Sequence, residues 1–150
     1  MTHMKKNILV VDDSALMRRV MCDIINSDSK FQATDYCRDG LEAYEKLKHT
    51  SYDGVVLDVN MPRMDGLQLL EKLQKEGIRA NVVMVSTLTD SREADVTILA
   101  MERGAIDFVA KPTNIIEAKG EAFKRQLLGV LNAVLATQKA AESVRPAVKP

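Results

Sequence analysis

Short apolar runs alternate with helix-period stretches along most of this chain. Residues 7–11, 54–57, 82–85 and 105–110 predict strands. The first three are almost continuously aliphatic, as suits strands of a parallel sheet covered on both faces. Residues 31–37 are more polar and intermittent, which suits an edge strand. Leu16, Val20 and Ile24, with Met17 and Met21 beside them, predict a first helix. Leu67, Leu70 and Leu73 predict a third, and Phe123, Leu127, Leu131, Val134 and Leu135 a fifth. Weaker patterns over residues 41–48 and 93–103 supply the second and fourth. Asp39 with Glu42, Asp65 with Gln68 and Asp90 with Glu93 have capping-box spacing, with Asp in place of the usual Ser or Thr. Gly77 and Gly104 fall where a helix end favours a left-handed residue.

Five β–α units in succession predict an α/β fold, an open five-stranded parallel sheet with right-handed crossovers and five flanking helices. With the polar second strand at the edge, the order 2-1-3-4-5 follows, the flavodoxin-like arrangement. The apolar period stops after residue 136. Residues 5–136 are therefore read as one domain, residues 137–150 as a flexible interdomain linker, and residues 1–4 as a start outside the fold, with Met4 a second candidate for the natural first residue.

At 150 residues, 46% hydrophobic and 28% charged, the chain can build a core without covalent staples, and disordered or collagen-like classes are excluded. The net charge of zero is a cancellation. Residues 1–110 hold 14 Lys and Arg against 18 Asp and Glu, whereas residues 111–150 hold 7 against 3. Neither block has the basic density of a phosphate-backbone binder, so nucleic acid is not an expected partner. No run nears the roughly 18 apolar residues of a membrane span, and no leader is evident; a cytoplasmic protein is expected. Cys22 and Cys37 have no ligand spacing and read as free thiols. His3 and His49 read as isolated surface histidines.

In an open α/β sheet the ligand lies beyond the C-terminal strand ends. There the chain places Asp12 and Asp13 after strand one, Asp58 after strand three, Ser86 and Thr87 at strand four, and Lys111 after strand five. Strands one and three would be neighbours at about 4.8 Å, which brings the three Asp residues together. Such carboxylates ionise jointly only with a compensating cation or bound protons. An all-oxygen set favours Mg²⁺, whose preference for few carboxylates plus a phosphate makes a phosphoryl group the natural second guest. Lys111 and a strand-four hydroxyl can hold phosphoryl oxygens, and Asp58 is the candidate acceptor through an aspartyl-phosphate. Asp39, Asp65 and Asp90 read simply as caps, and Asp13 taken alone has that alternative too. Met17, Met21, Met84 and Met101 read as core filler. Arg18 and Arg19 read as a solvated helix face, with a place at the pocket mouth as the alternative.

The stretches VVDDSALMRR, LDVNMPRMDG, MVSTLT and FVAKP, at these separations, resemble the receiver domain of two-component response regulators, over roughly residues 5–136. The resemblance implies that Asp58 accepts a phosphoryl group from a phosphohistidine on a partner kinase. It implies Mg²⁺ or Mn²⁺ held by Asp13, Asp58 and the backbone carbonyl of Asn60, with Asp12 acting through water. Ser86 would donate to the phosphoryl group and Lys111 pair with it. Ser86 and Phe108 would act as the switch, Thr87 and Leu88 would flank the site, and the Lys111–Pro112 bond would be cis. Among receivers, the likeness is greatest to those that precede a chemotaxis methylesterase domain acting on chemoreceptors. It implies a chemotaxis-type histidine kinase as donor and an effector domain beyond residue 150, since no GxSxG elbow lies within this sequence. The chain is thus expected to be a regulatory switch and no turnover enzyme. A stand-alone shuttle receiver is the alternative. An aspartate-nucleophile phosphatase is disfavoured because Asn60 stands where it would want an acid, and a transcription regulator because the tail is only modestly basic.

Overall fold

The computed structural model describes residues 5–87 and 93–148. The chain runs β1 (Lys6–Val11), α1 (Ala15–Asn26), β2 (Phe31–Cys37), α2 (Gly40–His49), β3 (Gly54–Leu57), α3 (Gly66–Lys75), β4 (Val82–Ser86), α4 (Glu93–Glu102), β5 (Asp107–Ala110), α5 (Ile115–Ala118) and α6 (Glu121–Val148). The strands form one sheet in the order β2-β1-β3-β4-β5. Every pairing is parallel, with Val11 level with Leu57 and Met84 level with Phe108. The expected α/β arrangement is what forms, with one short extra helix: α5, capped by Asn114, precedes the helix expected as the fifth.

Alternation along the strands divides the interior in two. Ile8, Val10, Val56, Val83, Val85 and Val109 face α1, α5 and α6 and pack with Val20, Ile24, Phe123, Leu127 and Leu131. Leu9, Val11, Val55, Leu57, Val82 and Met84 face the opposite way and pack with residues of α2, α3 and α4, among them Leu47, Leu69, Leu73 and Ala100. Helices on both faces leave the strand interiors β1, β3 and β4 dry, which is why they read as unbroken aliphatic runs. The edge strand β2 instead alternates buried with exposed positions.

The helix starts follow local chemistry. Asp39 caps α2 by accepting from the Glu42 N–H, and Asp65 with Gln68 forms a complete capping box on α3. Gly77 and Gly104 have φ of +70° and +104°, the left-handed region that glycine enters at no steric cost. Asp90 and Leu88 lie outside the described residues, as do residues 1–4 and 149–150.

Two details differ from expectation. Leu16 is 55% exposed, because the buried stripe of α1 runs through Met17, Val20, Met21, Ile24 and Ile25; Leu16 shares the spacing of four with Val20 but lies in the first turn of the helix, outside that stripe. Met101 is 41% exposed, unlike buried Met21 and Met84. The helix α6 runs to Val148, and Ala, Lys, Gln and Glu are strong helix formers even without an apolar stripe. Among the described residues, no helix is long and apolar enough to cross a membrane.

Candidate functional site

The site forms where β1, β3, β4 and β5 end together. Sheet-continuing hydrogen bonds set its floor: the Asp58 N–H donates to the Val11 carbonyl at 3.0 Å, the Asp12 N–H to Cys37 at 3.1 Å, and the Lys111 N–H to Ser86 at 2.8 Å. Asp12, Asp13 and Asp58 thus each offer a carboxylate oxygen within 4.8 Å of the others. Asp12 and Asp58 are buried and Asp13 is exposed. Lys111 reaches across from β5, its Nζ 2.9 Å from both Asp12 Oδ2 and Asp58 Oδ2. The other Asp12 oxygen accepts from the Ser14 N–H at 2.8 Å. Ser14, and not Asp13, caps α1, which leaves Asp13 free of that duty.

One ammonium cannot balance three ionised carboxylates, and burial adds to the imbalance. Desolvation and the neighbouring Asp12 charge push Asp58 up to about 6, against the opposing pull of Lys111. For Lys111, burial favours the neutral form, but Asp58 and Asp12 together outweigh it and raise its pKa. The excess negative charge favours a second cation. The all-oxygen donor set, two buried carboxylates with an exposed third, suits a hard divalent ion that keeps part of its water shell.

The other expected residues lie around this cluster. Ser86 is buried at the end of β4. Phe108 is half-buried one pleat row lower, opposite Met84, on the same face of the sheet as Ser86 and against the α2–α4 side of the core. Asn60 is exposed in the β3–α3 loop, two residues beyond Asp58, and Thr87 is half-buried. The Lys111–Pro112 bond, expected cis, is trans, as is every described peptide bond. Trans is favoured by about 0.5–1 kcal/mol for X–Pro, and from it both the Lys111 N–H and Nζ reach their partners.

Several contributors were not legible as such. Arg18 is no simple solvated residue: its Nη1 donates to the Asp12 carbonyl at 2.8 Å and its guanidinium lies 5.4 Å from the Tyr36 ring, whereas Arg19 is exposed. Asp39 does more than cap, because Arg63 donates to its Oδ2 through Nε at 2.7 Å and its Nη2 forms an ion pair with the same oxygen at 2.6 Å. Gly66 abuts the acceptor strand; a Cβ there would stand 2.2 Å from the Asp58 carbonyl oxygen. Only the last had a sequence signal, a glycine directly after a cap.

A parallel 2-1-3-4-5 sheet with an acidic cluster and a lysine at its C-terminal edge defines a class, and residues 8–120 match the family described as the response regulator receiver domain. The chain belongs to that family. It is 45% identical to the protein-glutamate methylesterase/protein-glutamine glutaminase of Pyrococcus horikoshii, a match covering 83% of this chain and 33% of that protein. To the protein of the same name from Escherichia coli strain UTI89 it is 44% identical, over 97% of this chain and 37% of that one. The chain thus spans about a third of the length of these curated relatives. Among solved structures, it is similar to the response regulator domain of Thermotoga maritima CheB, with a TM-score of 0.76 and 34% identity over 89% of this chain and 98% of that one. It also resembles a chain of the Borrelia burgdorferi CheX-CheY-BeF3-Mg²⁺ complex, with a TM-score of 0.71 and 29% identity over 86% and 88%. The fold and family expected from the sequence therefore hold, down to the CheB type of receiver.

Proposed function

We propose that Asp58 is the phosphoryl acceptor of a switch that governs a methylesterase domain joined through residues 137–150. The observation that carries this is the shared Lys111 ammonium, 2.9 Å from both Asp12 and Asp58 at the mouth of the sheet. It holds Asp58 Oδ2 at the mouth of the site. With a pKa of about 6, Asp58 is mainly ionised at neutral pH, as a nucleophile must be. In the step, an Asp58 oxygen forms a bond to phosphorus while the bond from phosphorus to the donor imidazole nitrogen breaks, and that nitrogen keeps the electron pair. A chemotaxis-type histidine kinase is the donor this reading implies. Hydrolysis of the acyl phosphate later restores the carboxylate.

Asp13, Asp58 and the Asn60 carbonyl would hold Mg²⁺ or Mn²⁺, with Asp12 acting through water; the ion, when bound, neutralises charge that develops on the phosphoryl oxygens. Ser86 would donate to one of those oxygens and Lys111 would pair with another. Ser86 and Phe108 share a sheet face, so a shift of one toward the new group opens space for the other. That couples the site to α4 and β5, a local charge event biasing a two-state element. The chain itself turns over no external substrate in this reading. Any methylester hydrolysis on chemoreceptors belongs to the larger protein, and no contact with nucleic acid or membrane is required.

Incubation with radiolabelled acetyl phosphate and Mg²⁺ should label the wild-type chain and leave Asp58→Asn unlabelled. Equal labelling of the two would refute the acceptor, and labelling that ignores chelation of divalent ions would refute the metal role.

A further inference from the structure

Arg63 is the only non-glycine residue with positive φ among the described residues, at 64°. It sits in the loop between the Asn60 carbonyl and the Asp65 cap of α3. The Met64 N–H donates back to the Pro62 carbonyl at 2.7 Å, which closes a γ-turn with Arg63 at its centre. A γ-turn of this hand is uncommon and strained for a residue with a side chain. Such a conformation persists only where the surroundings over-determine it.

Three contacts do so. The Arg63 guanidinium lays Nε and Nη2 on the Oδ2 of Asp39, at 2.7 and 2.6 Å. Asp39 is only 3% exposed and is itself fixed, because its Oδ1 accepts from the Glu42 N–H at the start of α2. The Met64 carbonyl accepts from the Gly40 N–H at 2.9 Å, so close that a Cβ on Gly40 would lie 2.4 Å from that oxygen. At the far end, the Gly66 N–H donates to the Val59 carbonyl at 2.8 Å. The segment from Val59 to Gly66 is thereby closed at its two ends and held to the start of α2 through Arg63 and Met64. Asn60 lies within that segment.

We propose that Arg63 is a positioning residue for the divalent cation: by clamping the strained turn onto Asp39 it sets where the Asn60 carbonyl stands. This rests on the reading of the acidic cluster as a Mg²⁺ site. The sign of the effect separates it from simple electrostatics. As a bare positive charge, Arg63 opposes cation binding, so its removal would tighten Mg²⁺. As a clamp, its removal loosens a ligand and weakens Mg²⁺ despite the gain in negative charge.

Calorimetric titration of Mg²⁺ into the wild type, Arg63→Ala and Arg63→Gly, with amide hydrogen exchange at Gly40 and Val56, decides between these. The expected result is at least a threefold rise in the Mg²⁺ dissociation constant of both variants, faster exchange at Gly40 and unchanged exchange at Val56. Glycine accepts the positive φ without strain but has no side chain to grip Asp39, so wild-type affinity in Arg63→Gly would show that the turn and not the grip sets the ligand and would overturn the clamp, as would unchanged or tighter binding in Arg63→Ala. If Arg63→Ala does not fold, Arg63→Lys keeps the charge but not the two-donor grip, and an unchanged constant there overturns the proposal equally. A wild type that binds no Mg²⁺ overturns the metal site itself and is distinguished by that from failure of the clamp alone.

Discussion

Asp58 and Lys111 show how much of the site's chemistry is settled by where single charges sit. Asp58 is pushed up to about 6 by burial and by Asp12, so its ionised form costs folding free energy. The stability it contributes in the protonated state is present below the ordinary carboxylate value and is lost as pH rises through about 6. In the metal-free protein, Asp58→Asn should therefore raise the unfolding free energy at pH 7.5, read from urea denaturation, by up to about 3 kcal/mol. The advantage should shrink as pH falls through 6 toward 4; a constant advantage across that range would contradict the burial origin of the shift. Lys111→Met should act oppositely. It strands two buried carboxylates and should destabilise the metal-free chain at pH 7.5 by about 3 kcal/mol, measured in the same unfolding series. Asp12, Asp13, Asp58, Ser86 and Lys111 were legible because a strand pattern fixes the end of each strand and the topology fixes which ends meet. Arg18 and Arg63 were not. Their roles depend on side chains reaching carbonyls and carboxylates on other elements, Arg63 across 24 positions to Asp39, and no local period encodes that.

At the level of single elements, periodicity located all five strands and the principal helices but chose the wrong stripe at one end. A spacing of four is satisfied by Leu16 and Val20 and equally by Met17 and Met21; packing onto the sheet takes Val20, Met21 and part of Met17 and leaves Leu16 outside. Leu16→Ala should accordingly change stability by less than about 0.5 kcal/mol, whereas Leu131→Ala, at a fully buried position of α6, should cost about 2–5 kcal/mol. Denaturant unfolding of the two variants checks both, and comparable losses would contradict the buried stripe assigned to α1. The short α5 was not legible either. Four residues are too few to carry a period, and its only signal was Asn114 accepting from the Glu117 N–H. The continuation of α6 past residue 136 reflects propensity, which apolar patterning does not register.

Across the whole molecule, the sheet separates two interiors that touch no common side chains: one packs under α1, α5 and α6, the other under α2, α3 and α4. Ser86 and Phe108 belong to the second, while Phe123 belongs to the first. The balanced charge of the chain carries little of this; three Asp and one Lys at one edge carry the local field. The chain has no tryptophan, so a single indole introduced on either side of the partition is an unambiguous reporter. Phe108→Trp should change its emission when acetyl phosphate and Mg²⁺ are added, and Phe123→Trp should stay silent under the same treatment. Equal responses would mean that the strands bend as a body. A silent Phe123 side makes the sheet an insulating wall, across which one half of the protein can be rewired for a different output while the other serves as an unmoved foundation.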